Sequence, residues 1–175
     1  MNDDFDLSKL VKKKRTGINS KAKGGRFERK ISEMLNKRFN TTDFCRTPGS
    51  GAFATTHKLP DHLKIYGDLI TPKNFKFIIE CKSGYNKEGV CNLFNPNSIL
   101  SEMIAQAERD SKKCSKKFML VIGQDRSDII VLTNASIPNG VILPTSYAFI
   151  TLESKNYTLI KLSDILSISD SFFLE

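Results

Sequence analysis

Paired cysteines are missing from this chain. Cys45, Cys81, Cys91 and Cys114 are scattered, with no C-x-x-C pair and no Cys/His spacing suited to a tetrahedral zinc site. Neither a disulfide framework nor a zinc staple is therefore expected, and the cysteines read as reduced, cytosolic thiols. Long apolar runs are missing too, and no stretch approaches the length of a membrane span. The first ten residues, MNDDFDLSKL, are acidic and then basic instead of a charged segment followed by an apolar one, so no secretory signal is read there. These absences place the protein in the cytoplasm as an expectation, with no membrane partner. No internal repeat is found. Histidine is scarce: His57 and His62 stand in a polar loop with no orienting partner, so no general base is assigned to either.

What is present is basic charge and a chain of one domain's size. A length of 175 residues suffices to bury a real core without staples. The formal net charge is +8, and it is unevenly spread. Between Lys9 and Lys30 there are ten Lys/Arg and a single acidic residue, Glu28. That density favours a polyanionic partner over a merely solvated face, so Lys12, Lys13, Lys14, Arg15, Lys21, Lys23, Arg26 and Arg29 are candidate DNA contacts. A second cluster, Arg109, Lys112, Lys113, Lys116 and Lys117, ends a later helix, where the macrodipole alone accounts for it. Residues 1–20 lack apolar periodicity and read as a flexible basic arm, with 21–175 as one folded domain.

Apolar periodicity orders the rest. Phe27, Ile31, Met34, Leu35 and Phe39 share a helical face from Gly24 to about Asn40. Residues 41–67 form a long, turn-rich connection containing T-P-G-S-G, and a loop of that length is expected to face substrate. Asp68 to Thr71 and Phe75 to Lys82 read as the strands of a β-hairpin. Ser98 is placed to cap a helix running to about Cys114, strands follow at 118–122, 128–132 and 157–162, and Ser163 is expected to cap a last short helix. The order predicts an α/β fold, a mixed central β-sheet flanked by helices.

Five charged or polar residues do not fit a purely structural reading of these elements. Alternation along the strand places Glu80 and Lys82 on one face, with Phe77, Ile79 and Cys81 on the other. Taken alone, this E-x-K pair is an ordinary ion pair at a strand end. Asp68, at the start of the expected partner strand, could approach Glu80; two carboxylates brought together repel unless a cation lies between them, and oxygen ligands favour Mg²⁺ or Mn²⁺ over zinc. The other reading of Gly67-Asp68 is a turn. Glu28 lies within about 20° of Leu35 on the helical wheel, inside the apolar stripe, where a carboxylate needs a partner or caps the helix start. Gln106 stands at the border of the stripe of its helix and could reach the same face.

In this order, Glu28 on a first helix, G-D at 67–68 and an apolar strand ending E-C-K at 80–82 resemble the PD-(D/E)XK nuclease superfamily. The strings K-G-G-R-F-E-R at 23–29, R-T-P-G-S-G-A at 46–52 and I-I-E-C-K-S at 78–83 are similar to those of archaeal Holliday junction resolvases and their phage-encoded relatives. The resemblance spans about residues 21–123 and implies a restriction-endonuclease-like core. It implies Mg²⁺, with Mn²⁺ as substitute, bound by Asp68, Glu80 and Glu28, and Lys82 as the residue that orients or polarises the attacking water rather than as the salt-bridge partner of Glu80. It makes Ser50, with Arg46 before it, a DNA-contact candidate and matches Gln106 to a glutamine found in some branches. The proline of the motif is not beside Asp68; Pro60-Asp61 lies seven residues earlier, so Asp61 is the alternative ligand. The implied activity is metal-dependent cleavage of branched DNA by a homodimer, in the host cytoplasm if the protein is phage-encoded. The alternatives are a sequence-specific or mismatch-directed endonuclease of the same fold and a non-catalytic DNA-binding subunit. The last 50 or so residues match nothing in the family.

Overall fold

The computed structural model describes residues 20–48, 66–86, 89–138 and 147–175. The expected basic arm, with Lys12, Lys13, Lys14 and Arg15, lies outside the described residues, as do Ser50, His57, Asp61 and His62.

Helix α1 (Ser20–Phe39) begins four residues earlier than its apolar stripe requires, and it ends where Asn40 takes a left-handed conformation at φ 49°. Two short strands, β1 (Cys45–Arg46) and β2 (Leu69–Ile70), precede the long β3 (Phe77–Ser83). A 3₁₀ turn at Val90–Phe94 leads to α2 (Ile99–Cys114). As expected, Ser98 caps α2, its hydroxyl accepting from the Ser101 amide at 3.1 Å. The chain continues through β4 (Lys117–Gly123), β5 (Ile130–Thr133), β6 (Ala148–Leu152) and β7 (Lys155–Lys161) to the short helices α3 (Leu162–Ile165) and α4 (Asp170–Phe173).

β3, α2 and β4 form a parallel crossover unit, with Phe77 opposite Lys117 and Ser83 opposite Gly123. β5, β7 and β6 extend the sheet antiparallel in the order β3-β4-β5-β7-β6, so the sheet is mixed as predicted. Each face is covered. Ile31 and Leu35 of α1 pack with Phe77, Ile79, Val121 and the C-terminal Phe172 and Phe173 on one side. Leu100, Met103, Ile104 and Ala107 of α2 pack with Ile78, Phe118, Leu120 and Leu132 on the other.

The expected hairpin is not formed. β2 pairs antiparallel with β1, Cys45 opposite Ile70 and Arg46 opposite Leu69, within the connection that the sequence left without structure. Two features exclude hairpin pairing. Gly67, at φ +85°, brings the chain so close to β3 that a Cβ there would stand 2.7 Å from the Ile79 carbonyl oxygen, and the contact with β3 is made there and at Asp68 instead of along β2. The edge ahead of β3 is also occupied by the tail: Lys76 donates to Phe173 O at 2.8 Å, Glu175 donates to Asn74 O at 2.9 Å, and Phe75 bridges Leu174. The unassigned C-terminal segment thus supplies β6 and β7, part of the core and a cover for a strand edge. Ser163 is not the cap of α3. That helix starts at Leu162 after Lys161, without a side-chain cap, and the Ser163 hydroxyl bonds the Asp164 carboxylate at 2.9 Å.

Candidate active site

β3 is the edge strand of the main sheet, and two of its outward backbone groups are met by one residue. Asp68 donates its amide to Ile79 O at 2.8 Å, and its Oδ2 accepts the Cys81 amide at 2.8 Å. Asp68 is held in turn from behind, because the Thr47 amide donates to Asp68 O at 2.9 Å and the Thr47 hydroxyl donates to Gly67 O at 3.2 Å. The β1–β2 ribbon therefore fixes this carboxylate rigidly beside β3 without a hairpin.

Glu80 is only 3 % exposed, as an apolar residue in its strand position would be. Alternation places it with Ile78 and Lys82 on the α2 side of the sheet, as the sequence predicts. Lys82 Nζ lies 3.4 Å from Glu80 Oε2 and donates to Gln106 Oε1 of α2 at 3.3 Å. Lys82 thus does pair with Glu80, which corrects the expectation that it would not: a carboxylate buried under α2 needs a compensating cation, and Lys82 on the same strand face is in reach. Burial, followed by the nearby Asp68 carboxylate, pushes the Glu80 carboxyl up to about 7 despite the opposing pull of Lys82; Asp110 on α2 adds a smaller upward push. Asp110 is one turn beyond Gln106 on the same helical face, a spacing from which its involvement could have been read.

Glu28 is buried, as its place on the helical wheel predicts, and its partner is Arg46 of β1, whose Nε donates to Glu28 Oε2. It sits on the α1 side of β3, where Cys81 also points. Burial, then Asp68, Glu28 and Glu80 in that order, raise the Cys81 thiol well above its usual range, so this thiol feels carboxylates from both sides of the strand. Asp68, Glu80, Lys82 and Gln106 are brought together, whereas Glu28 approaches from across the strand and is engaged by an arginine. Among the described residues, no group of three or more His, Cys, Asp or Glu side chains is close enough to hold a metal ion. The donor set nevertheless fits a hard divalent cation: Asp68 and Glu80 present carboxylate oxygens whose mutual repulsion such an ion would relieve.

The remaining basic candidates divide. Lys21, Arg26, Arg29 and Arg46, with Ala22 and Gly25, line an open groove of about 400 Å³ along α1. Lys23 lies elsewhere, with its ammonium 2.8 Å from Asp125 in the turn after β4. No helix among the described residues is long and apolar enough to cross a membrane.

Comparison with known proteins agrees with this architecture. Protein D14 of Escherichia phage T5 is 29 % identical over 126 residues, which cover 69 % of this chain and 74 % of that protein. No solved structure matches. The model of a family described as "Phage putative PDDEXK endonuclease" matches residues 19–170, nearly the whole described fold including the β6–β7 extension; the chain belongs to that family.

Proposed function

We propose that this protein is a Mg²⁺-dependent DNA endonuclease selective for branched DNA, a Holliday junction resolvase that works as a homodimer. Its family supports the coarser reading, a nuclease of the PD-(D/E)XK type. The single observation that carries the catalytic reading is the meeting of Asp68, Glu80, Lys82 and Gln106 at one strand edge, with Glu80 buried. The preference for junctions rests on the similarity of 23–29, 46–52 and 78–83 to resolvases, and the homodimer on the need to make paired cuts from two sites related by a twofold axis.

Asp68 and Glu80 would hold the cation, with Glu28 as the third carboxylate; Mn²⁺ would substitute for Mg²⁺. When bound, the ion supplies Lewis acidity toward water and toward the oxygens of the scissile phosphate. The rest is done by side chains. Lys82 has three N–H donors, and two are directed to Glu80 and Gln106, which leaves one for the attacking water or a non-bridging phosphate oxygen. Gln106 is a neutral acceptor that fixes the direction of the ammonium without cancelling its charge. Asp68 is held in place by the Cys81 amide. Lys21, Arg26, Arg29 and Arg46, and in the arm Lys12, Lys13, Lys14 and Arg15, grip phosphates without reading sequence.

The test is cleavage of a panel of four-way junctions, mismatched duplexes and linear duplexes in Mg²⁺. The junction should be cut preferentially whatever its sequence, and Lys82→Ala should lose at least about a hundredfold in rate with DNA affinity retained. Equal cleavage of matched linear DNA would leave an endonuclease without the junction preference. Failure of the wild-type protein to cut any DNA in Mg²⁺ or Mn²⁺ would overturn the enzyme reading.

A further inference from the structure

Arg46 faces two ways. Toward the protein it pairs with Glu28, and toward solvent it lines the groove with Lys21, Arg26 and Arg29. Its side chain is 32 % exposed against 11 % for that of Glu28, so the guanidinium reaches the groove and the carboxylate does not. The guanidinium rests on the helix surface at Gly25, where a Cβ would meet Arg46 Cζ at 3.4 Å, an ordinary contact distance. Lys21, Gly25 and Arg29 fall four residues apart along α1, and among the described residues every charged side chain that lines the groove is a cation. A planar guanidinium at such a place matches the oxygens of a phosphodiester in pairs, and the flanking cations add to its hold.

We propose that this groove is an anion subsite that takes one backbone phosphate of the DNA, and that Arg46 is a positioning residue which the phosphate draws away from Glu28. The inference rests on the nuclease reading above and adds to it an order of events. Without DNA, Arg46 compensates the buried Glu28 carboxylate. Once phosphate engages the guanidinium, Glu28 is left buried without that compensation, a costly state that a cation relieves. Glu28 is the third carboxylate of the donor set proposed above, so its freed charge would add to that of Asp68 and Glu80. Phosphate and divalent cation then favour each other's binding by the same factor. The protein is thereby kept from holding a full complement of metal until DNA is in place.

Two titrations on the full chain test this. In the first, a short DNA duplex is titrated by fluorescence anisotropy in EDTA over a series of salt concentrations. Arg29→Ala and Arg46→Lys should weaken binding several-fold, and Arg29→Ala should reduce the salt slope by about one; unchanged affinity and slope in both variants would overturn the phosphate subsite. In the second, Mn²⁺ binding to DNA-free protein is followed by the electron paramagnetic resonance of the free ion. Arg46→Ala should bind Mn²⁺ about tenfold more tightly than wild type, and the gain should vanish in the Glu28→Gln/Arg46→Ala double variant. Equal affinity in wild type and Arg46→Ala, or a gain that survives without Glu28, would overturn the latch. Should Arg46→Ala fail to fold, Arg46→Lys keeps the charge but loses the fork and should give a smaller gain with the same dependence on Glu28. Neither titration requires turnover, so a protein that cuts no DNA would refute the nuclease reading while these results still decide the subsite.

Discussion

Replacing Glu80 by glutamine should make the metal-free protein more stable while it abolishes cleavage, and the size of the gain should depend on pH in a defined way. The folded-state value for Glu80 is pushed from the ordinary 4.5 up to about 7, by burial first and by Asp68 second. A carboxyl whose folded value is raised binds more protons folded than unfolded, so stability falls as pH rises between those two values. Below about pH 4.5 the group is neutral in both states and costs nothing; above about pH 7 it is ionised in both, and the cost is fully present. A separation of about 2.5 units at 1.36 kcal/mol each amounts to about 3 kcal/mol. Glutamine has the shape of the neutral acid and escapes that cost. In EDTA at pH 8, Glu80→Gln should therefore melt roughly 6–12 °C above wild type, a gap that closes as pH is lowered toward 4.5. Saturating Mg²⁺ should stabilise wild type by about 2.7 kcal/mol at a hundred times its dissociation constant and leave Glu80→Gln nearly unmoved. Thermal melts at several pH values, with and without Mg²⁺, give all four arms. A Glu80→Gln protein less stable than wild type at pH 8, or a gap independent of pH, would refute the reasoning that this carboxylate is held in place against its own electrostatics.

Gly67→Ala should cost about 2–4 kcal/mol in urea unfolding, because φ +85° disfavours any side chain and the new Cβ would meet Ile79 O at 2.7 Å; cleavage should fall with it, since Asp68 is the next residue. Gln106→Leu removes the neutral acceptor of Lys82, so kcat should drop about tenfold to a hundredfold while the DNA dissociation constant measured in EDTA stays unchanged.

What the sequence disclosed about this site, it disclosed through local periodicity. The two-residue period of β3 sorted Glu80 and Lys82 from Cys81, and the wheel of α1 put Glu28 inside its stripe, because each depends only on the geometry of a single element. Ser98 was legible as a cap for the same reason. The pairing of strands was not, since the partner of β2 lies more than twenty residues earlier in β1, and the edge ahead of β3 is taken by Phe173 and Glu175 at the far end of the chain. No local pattern encodes such contacts. Arg46 illustrates the same limit: the resemblance of its loop made it a candidate contact for DNA, but its engagement with Glu28 arises only from the β1–β2 ribbon packing over α1.

The ribbon also explains how an irregular connection can hold the candidate site residues in place. β1 and β2 are two residues each, too short to be stable by their own ladder. They are fixed as well by bonds beyond the strands themselves: Asp68 to the Ile79 carbonyl and the Cys81 amide, Arg46 to Glu28, and Thr47 to Gly67 and Asp68, the last extending the ladder by one pair. The acidic groups suited to a cation are thus part of what holds the ribbon down. In that arrangement, the contact that stabilises the DNA-free fold, Arg46 with Glu28, is the one a phosphate is best placed to compete for, whereas the Asp68 contacts are to backbone amide and carbonyl groups that no anion can displace without breaking the edge of β3. On the function proposed above, stability and activity would then be divided between two sides of the same ribbon, with Asp68 held against β3 and Arg46 open to a change of partner.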